Sequence, residues 1–321
     1  MPSRGNRSRY YPALAAVMAL IAAACGISKD ASPIPASPSV PLPTVVTPTV
    51  GPSLAGATAK LPAFGHIWVV VLENQSYDAI EDSQVAPFLS GLIAQGGLAT
   101  SYSGVGRPSQ PNYLALFSGS TQGVTDDASH DIDAPNLADQ LEAAGRTWGE
   151  YAENVPPDCF AGETASGGRD GAGEYARKHA PAISFDSIRS DPARCANIHD
   201  LAGFEPGAVD YALIVPNLCH DMHDCAVVVG DLWVSSWVRM MVKSRAYRAG
   251  HTAIFLTFDE GSNSVGHIPT VVVSPYTRAG KVSHRRYTHF SLMRTTASVL
   301  GIRRCLGKAC SARGLSKAFR L

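Results

Sequence analysis

Three short motifs hold the groups in this chain best suited to chemistry. Glu73-Asn74 follows the apolar run His66-Ile-Trp-Val-Val-Val-Leu72, Asp259-Glu260 follows Ala253-Ile-Phe-Leu-Thr-Phe258, and Ser109-Gln-Pro-Asn112 heads Tyr113-Leu-Ala-Leu-Phe117. Carboxylates and an amide are hard oxygen donors, which favour Mg²⁺, Ca²⁺ or Mn²⁺, with Zn²⁺ a further option. A serine at its ordinary pKa is a poor nucleophile, and Ser109 has no obvious base beside it in sequence, so metal coordination is the economical activator. The combination suits attack on a phosphoester, where an oxygen nucleophile must approach an anion and positive charge is needed on the phosphoryl oxygens. Each motif alone has an ordinary explanation, because acidic residues end many strands and serine caps many helices. All three together point to one site.

The elements that must position these groups follow from their neighbours. The two runs before the acidic pairs are short and rich in β-branched and aromatic residues, as buried parallel strands are. Their carboxyl ends would deliver Glu73 and Asp259 to the edge where open α/β sheets bind ligands. Residues 86–94 have helical spacing and stop at Gly96-Gly97, and residues 136–144 form a second amphipathic pattern ended by Gly145. Residues 147–152, 211–215 and 269–274 read as further strands, and 231–242 and 290–300 as helices. This β-α-β rhythm predicts an α/β fold. The Gly-rich stretch between Cys159 and Cys195 predicts an irregular excursion over the site.

The N-terminus has Arg4, Arg7 and Arg9 before an apolar stretch from Ala13 to Ala24, the layout of a secretory signal over residues 1–24. Ala22-Ala-Ala-Cys25 leaves two processing routes, lipidation of Cys25 or ordinary cleavage that keeps it as a thiol. Cysteine parity favours the lipoprotein, because removing Cys25 from the seven leaves an even set of Cys159, Cys195, Cys219, Cys225, Cys305 and Cys310. The near neighbours Cys219 with Cys225 and Cys305 with Cys310 are expected to pair, leaving Cys159 for Cys195. Residues 25–62 form a lipidation site and Pro-rich tether, with eight prolines between Gly26 and Pro62. The expected location is the cell envelope or the medium, with a lipid anchor to a membrane. Balanced charge, 27 basic against 27 acidic residues, and the lack of a basic stripe interleaved with aromatics argue against nucleic acid as a partner.

Six motifs then carry a family likeness: Glu73-Asn-Gln-Ser-Tyr-Asp78, Pro108-Ser-Gln-Pro-Asn-Tyr-Leu-Ala-Leu-Phe-Ser-Gly119, Tyr175-Ala-Arg-Lys-His179, Pro216-Asn217 with Asp221-Met-His-Asp224, Thr257-Phe-Asp-Glu260 and Tyr287-Thr-His289. The set resembles the phosphoesterase family of bacterial acid phosphatases and phospholipases C, most closely the short secreted acid phosphatases of mycobacteria. The resemblance implies that residues 63–321 are a catalytic domain with an alkaline-phosphatase-like core, a mainly parallel sheet sandwiched between helices. The chain departs from the family at Arg107, where relatives often have His, at His220, where they often have Asn, and at Ala180, where Asn is frequent. Arg107 and His220 bear on phosphate contacts, pH optimum or metal preference.

The resemblance and the residue chemistry together assign roles. Ser109 is the expected nucleophile, with Glu73, Asn74, Asp259 and Glu260 as metal ligands. Asp221 and His223, beside Cys219 and Cys225, form either a second cation site or a phosphate-binding and acid-base element, and the resemblance places His289 in the pocket with them. Lys178 neutralises phosphate charge and His179 protonates the leaving group. Asn112, Arg107 and His220 contact substrate. The expected reaction is hydrolysis of a soluble or lipid-borne phosphomonoester through a phosphoserine. The rivals are a phospholipase C acting on diesters and a tethered binding lipoprotein without turnover. A sulfatase fits less well, since Ser109-Gln-Pro111 is followed by Asn112-Tyr113 where a sulfatase requires Arg.

Overall fold

The computed structural model describes residues 63–81, 83–167, 173–262 and 266–321. The chain divides into Met1–Thr44 and Val45–Leu321. The expected signal segment, Cys25 and the expected tether lie outside the described residues.

Ten strands follow in chain order: β1 His66–Leu72, β2 Gly97–Ser103, β3 Trp148–Ala152, β4 Thr164–Ser166, β5 Glu174–Ala176, β6 Ile198–Asp200, β7 Tyr211–Val215, β8 Thr252–Phe258, β9 Thr270–Val273 and β10 Lys281–Thr288. Eight of them form one sheet in the order β10-β2-β9-β8-β1-β7-β3-β6, and β4 with β5 make a separate ribbon. Only β9 runs against its neighbours β8 and β2, so the sheet is mixed but mainly parallel. The central strands β1, β7 and β8 are buried almost throughout, which is why they read as continuous apolar runs with no alternation. Helices flank the sheet. Pro87–Gln95 packs on Val227–Lys243, and Gln110–Ser118 packs on His289–Val299. Buried Asp231 joins the first pair by accepting from Phe88 N (3.0 Å) and Leu89 N (2.8 Å), satisfying amide groups that Ala86 at the N-cap does not.

The strands expected at 66–72, 147–152, 211–215, 253–258 and 269–274 match β1, β3, β7, β8 and β9 within a residue or so. The helix expected at 231–242 begins earlier, at Val227. Five strands escape sequence reasoning: the three-residue β4, β5 and β6, and the longer β2 and β10. β2 mixes Gly, Ala, Thr and Ser with only Leu98 and Tyr102 as large side chains, and it directly follows the helix stop at Gly96. β10 is a charged edge strand with mostly exposed side chains. Among its described residues the excursion between Cys159 and Cys195 contains the β4–β5 ribbon and short helical turns, and it is closed by the expected disulfide with Cα atoms 5.6 Å apart. Cys219–Cys225 and Cys305–Cys310 are also bonded, at 4.6 and 5.1 Å.

Candidate active site

The sheet register brings the two acidic pairs together. β1 and β8 run parallel with Leu72 opposite Phe258, so Glu73 and Asp259 leave the sheet side by side. The chain turns sharply there. Asn74 adopts the left-handed conformation (φ 57°), which asparagine tolerates better than most residues, and its backbone N–H donates to Asp259 Oδ1 at 3.0 Å. A third loop, after β7, places Asp221 alongside, and its carbonyl accepts from Glu73 N at 2.8 Å.

Ser109 arrives from the other side, at the start of the Gln110–Ser118 helix and just after the cis peptide Arg107–Pro108. It occupies the N-cap position, yet its hydroxyl makes no cap bond. It donates instead to Glu73 Oε2 at 2.9 Å. The same carboxylate accepts from Asn74 Nδ2 (3.1 Å) and, through Oε1, from Tyr113 OH (2.5 Å). His179, carried in by the excursion, lies stacked on Tyr113 with Nε2 3.4 Å from Glu73 Oε2 and Nδ1 3.3 Å from Asp221 Oδ2.

Burial dominates the electrostatics. Glu73, Asp221 and Asp259 are fully buried. Burial, then the charges of Asp259 and Asp221, raise Glu73 well above the usual carboxylate range. Burial likewise raises Asp259, lifts Asp221 to about 8 and, with help from Asp259, brings Glu260 to about 7. Burial and then Lys178 lower His179 to about 3. Arg107 Nη2 stands 3.3 Å from Glu260 Oε1 and partly offsets that rise.

Among the described residues no group of three or more His, Cys, Asp or Glu side chains is closed into a ligand set, so the case for a cation rests on donor chemistry. Asp259 Oδ2, Glu260 Oε2 and Asp221 Oδ2 are buried oxygens without a hydrogen-bond partner. Buried carboxyls that repel one another and keep free oxygens are costly unless they stay protonated or share a cation. The donor set fits a hard divalent ion.

Several residues expected at the site have other partners. Asn112 does not offer its amide to the opening. Its Oδ1 accepts from Val105 N (2.8 Å) and Gly106 N (3.1 Å), and its Nδ2 donates to Gly106 O (3.0 Å), so it shapes the loop that presents Ser109. His220 Nδ1 meets Glu153 Oε2 at 2.9 Å and the ring stacks on Trp233. Both ring nitrogens of His289 are engaged, Nε2 with Asp259 O (2.6 Å) and Nδ1 with Tyr102 OH (3.2 Å). It grips the main chain of a candidate ligand and does not face the carboxyl oxygens. His223 pairs with Asp224 at 2.6 Å and its ring lies 6.0 Å from that of His179.

Sequence reasoning missed two residues. Tyr113, read only as the start of an apolar helix, anchors Glu73. Asp127 accepts from Gln110 N and from Lys178 Nζ, both at 3.0 Å, and so ties the nucleophile's helix to the cationic side chain. Asp127 and Lys178 also line, with Gln110, a cavity of about 270 Å³. Only the Pro-Ser-Gln-Pro-Asn-Tyr run held any sequence signal, and that was for Tyr113.

The fold and this site define a phosphoric ester hydrolase. The chain belongs to the phosphoesterase family, whose model matches residues 81–303. It is 30% identical over 254 residues to a phosphatidylinositol-3-phosphatase of Mycobacterium tuberculosis, an alignment covering 78% of this chain and 82% of that one. It is 31% identical over 252 residues to an acid phosphatase of Aspergillus fumigatus, covering 75% of this chain but 56% of the fungal protein. Solved structures agree on the fold. A member of the alkaline phosphatase superfamily from Vibrio parahaemolyticus superposes with TM-score 0.51 at 12% identity, covering 76% of this chain and 68% of that one. The lipoteichoic acid synthase LtaP of Listeria monocytogenes does so with TM-score 0.52 at 12% identity, covering 75% and 74%.

Proposed function

We propose that this protein is an exported, metal-assisted acid phosphatase that hydrolyses phosphomonoesters through a phosphoserine at Ser109. The observation that carries the reading is the hydroxyl of Ser109. It forgoes the helix cap and donates to Glu73 Oε2 at 2.9 Å, inside a cluster of buried carboxyls with free oxygens.

A divalent ion held by Glu73, Asn74, Asp259 and Glu260, with Asp221 near by, would supply positive charge to the phosphoryl oxygens and lower the pKa of the serine hydroxyl. The protein's own groups account for the rest. Ser109 Oγ attacks phosphorus as its proton passes to Glu73 Oε2. Lys178, steadied by Asp127, and Arg107, steadied by Glu260, neutralise the remaining phosphate charge. The proton that Glu73 takes from Ser109 passes on to the departing alkoxide, with His179, kept neutral by burial and 3.4 Å from Glu73 Oε2, as the relay. Water then attacks the phosphoserine, releasing phosphate and restoring the hydroxyl. Three disulfides suit an oxidising compartment, and Cys25 would tether the domain to the envelope.

Rapid acid quenching of the full chain with a labelled phosphomonoester tests the mechanism. Label on the peptide bearing Ser109 is the expected result, and label on any other residue would exclude this assignment. Parallel assays of a nitrophenyl monoester and a phosphocholine diester should favour the monoester.

A further inference from the structure

Formal neutrality hides a division of charge along the chain. Residues 261–321 hold eleven of the 27 Lys and Arg and none of the 27 Asp and Glu. The fold gathers part of this segment on one flank. β10 ends the sheet and pairs only with β2. The segment around Arg313 and the short Ser316–Phe319 helix lie against it. Together they enclose a cavity of about 580 Å³ lined by Lys281, Val282, His284, Arg285, Arg313 and Lys317, among others. No residue of the Ser109 cluster lines it. Elsewhere Arg146, Arg177, Arg189 and Arg194 sit in ion pairs, yet among the described residues no Lys or Arg from Arg278 onward does.

Charge on an edge strand has an ordinary use, since it discourages pairing with other strands. That accounts for Lys281 and Arg285. It leaves Arg313 and Lys317 unexplained, because they lie outside the strand and add like charge to the same concave wall. Like charges brought together without counter-charge favour an anionic ligand. Two features favour a lipid surface over nucleic acid. Of the two rings at the cavity, Tyr287 is buried with its hydroxyl bonded to Ser283, and the imidazole of His284 is held through Nδ1 by Thr100 Oγ1 at 2.8 Å, so no Phe, Tyr or Trp face is open to a base. Val282 is 37% exposed among the cations, and an apolar group among basic ones is how proteins engage an anionic bilayer.

We propose that this flank is a docking surface for an anionic phospholipid bilayer, separate from the hydrolytic site and independent of its chemistry. The test is co-sedimentation of the full chain carrying Ser109→Ala, which leaves lipid unhydrolysed, with neutral phosphatidylcholine vesicles and with vesicles containing about one-third phosphatidylglycerol. Any anchor at Cys25 adds to binding on both vesicle types, so the difference between them reads the flank. Anionic vesicles should bind at least about tenfold more tightly, and the excess should fall as salt rises. The combined variant Lys281→Glu, Arg285→Glu, Arg313→Glu, Lys317→Glu should abolish the excess, and the matching Gln set should reduce it. With Ser109 restored, both sets should keep their melting temperature and their rate on a soluble nitrophenyl phosphate. Equal binding to the two vesicle types, an undiminished excess in the folded Gln set, or tighter binding to a single-stranded oligonucleotide than to the anionic vesicles would each overturn the proposal.

Discussion

Two helix starts in this protein are built for opposite ends. At Asn136 the side chain accepts from Asp139 N at 3.3 Å, and Asp139 Oδ2 accepts from Asn136 N at 2.9 Å, a reciprocal cap that satisfies free amide groups locally. Asn136 Nδ2 also reaches Ser187 Oγ at 3.1 Å. At Ser109 the same kind of position is filled by a good capping residue, yet the hydroxyl turns away to Glu73. The contrast extends to the carboxyls nearby. Glu150, on the strand next to the Asn136 helix, is a single buried acid with Ala182 N as its donor. Glu73, Asp221 and Asp259 are buried against one another. The cap at Asn136 stabilises the first region, where the lone acid Glu150 keeps a single unpartnered oxygen, whereas the second region gathers several such oxygens in one place.

The sharpest way to break this comparison is Ser109→Ala. With no cap bond to lose, the variant should keep its melting temperature while turnover falls by at least about a thousandfold, roughly 4 kcal/mol of transition-state stabilisation. A variant that loses stability but keeps its rate would make Ser109 a structural residue after all.

Asp259→Asn should fail differently. Neutralising one oxygen donor should lower both rate and bound divalent metal, with turnover down by about a hundredfold and metal content measurable by elemental analysis. Full metal content with a lowered rate would move Asp259 out of the ligand set.

Glu150→Gln probes the isolated acid through pH. Burial raises its folded-state value from 4.5 to about 8. Below the unfolded value both states are protonated and the stability is fully present. As pH climbs through that window the unfolded chain ionises first, so the native protein loses stability until about pH 8. The Gln variant should escape that loss, gaining roughly 1–3 kcal/mol on the wild type between acid and neutral pH in denaturant titrations. A gap that does not change with pH would show that Glu150 ionises freely in the folded state.

The smallest effect belongs to Asn136→Ala. Losing the cap should cost about 1–2 kcal/mol in unfolding free energy and leave kcat within about twofold. A loss of rate at constant stability would erase the distinction between the two helix starts.

Much of this molecule was legible in the chain. The β1 run has its boundaries written in composition, because a strand buried on both faces must be apolar from end to end. The acidic pairs stand where such strands stop, and the spacing and parity of the cysteines foretold all three bonds. The Pro-Ser-Gln-Pro-Asn run carried its own turn and helix start. These are local properties, set by neighbours a few residues away.

What tertiary structure decided depends on register and on partners far off in sequence. That Leu72 stands opposite Phe258, and so makes one cluster of Glu73 and Asp259, follows from the pairing of β1 with β8. Asn112, His220 and His289 carry functional side chains whose type invites a catalytic role, but the groups within reach gave them loop, Glu153 and main-chain partners. Asp127 became the link between Ser109's helix and Lys178 in the same way. A side chain's chemistry is fixed by its type, whereas its partner is whichever group the packed sheet and helices bring within about 3 Å, and no local pattern encodes that.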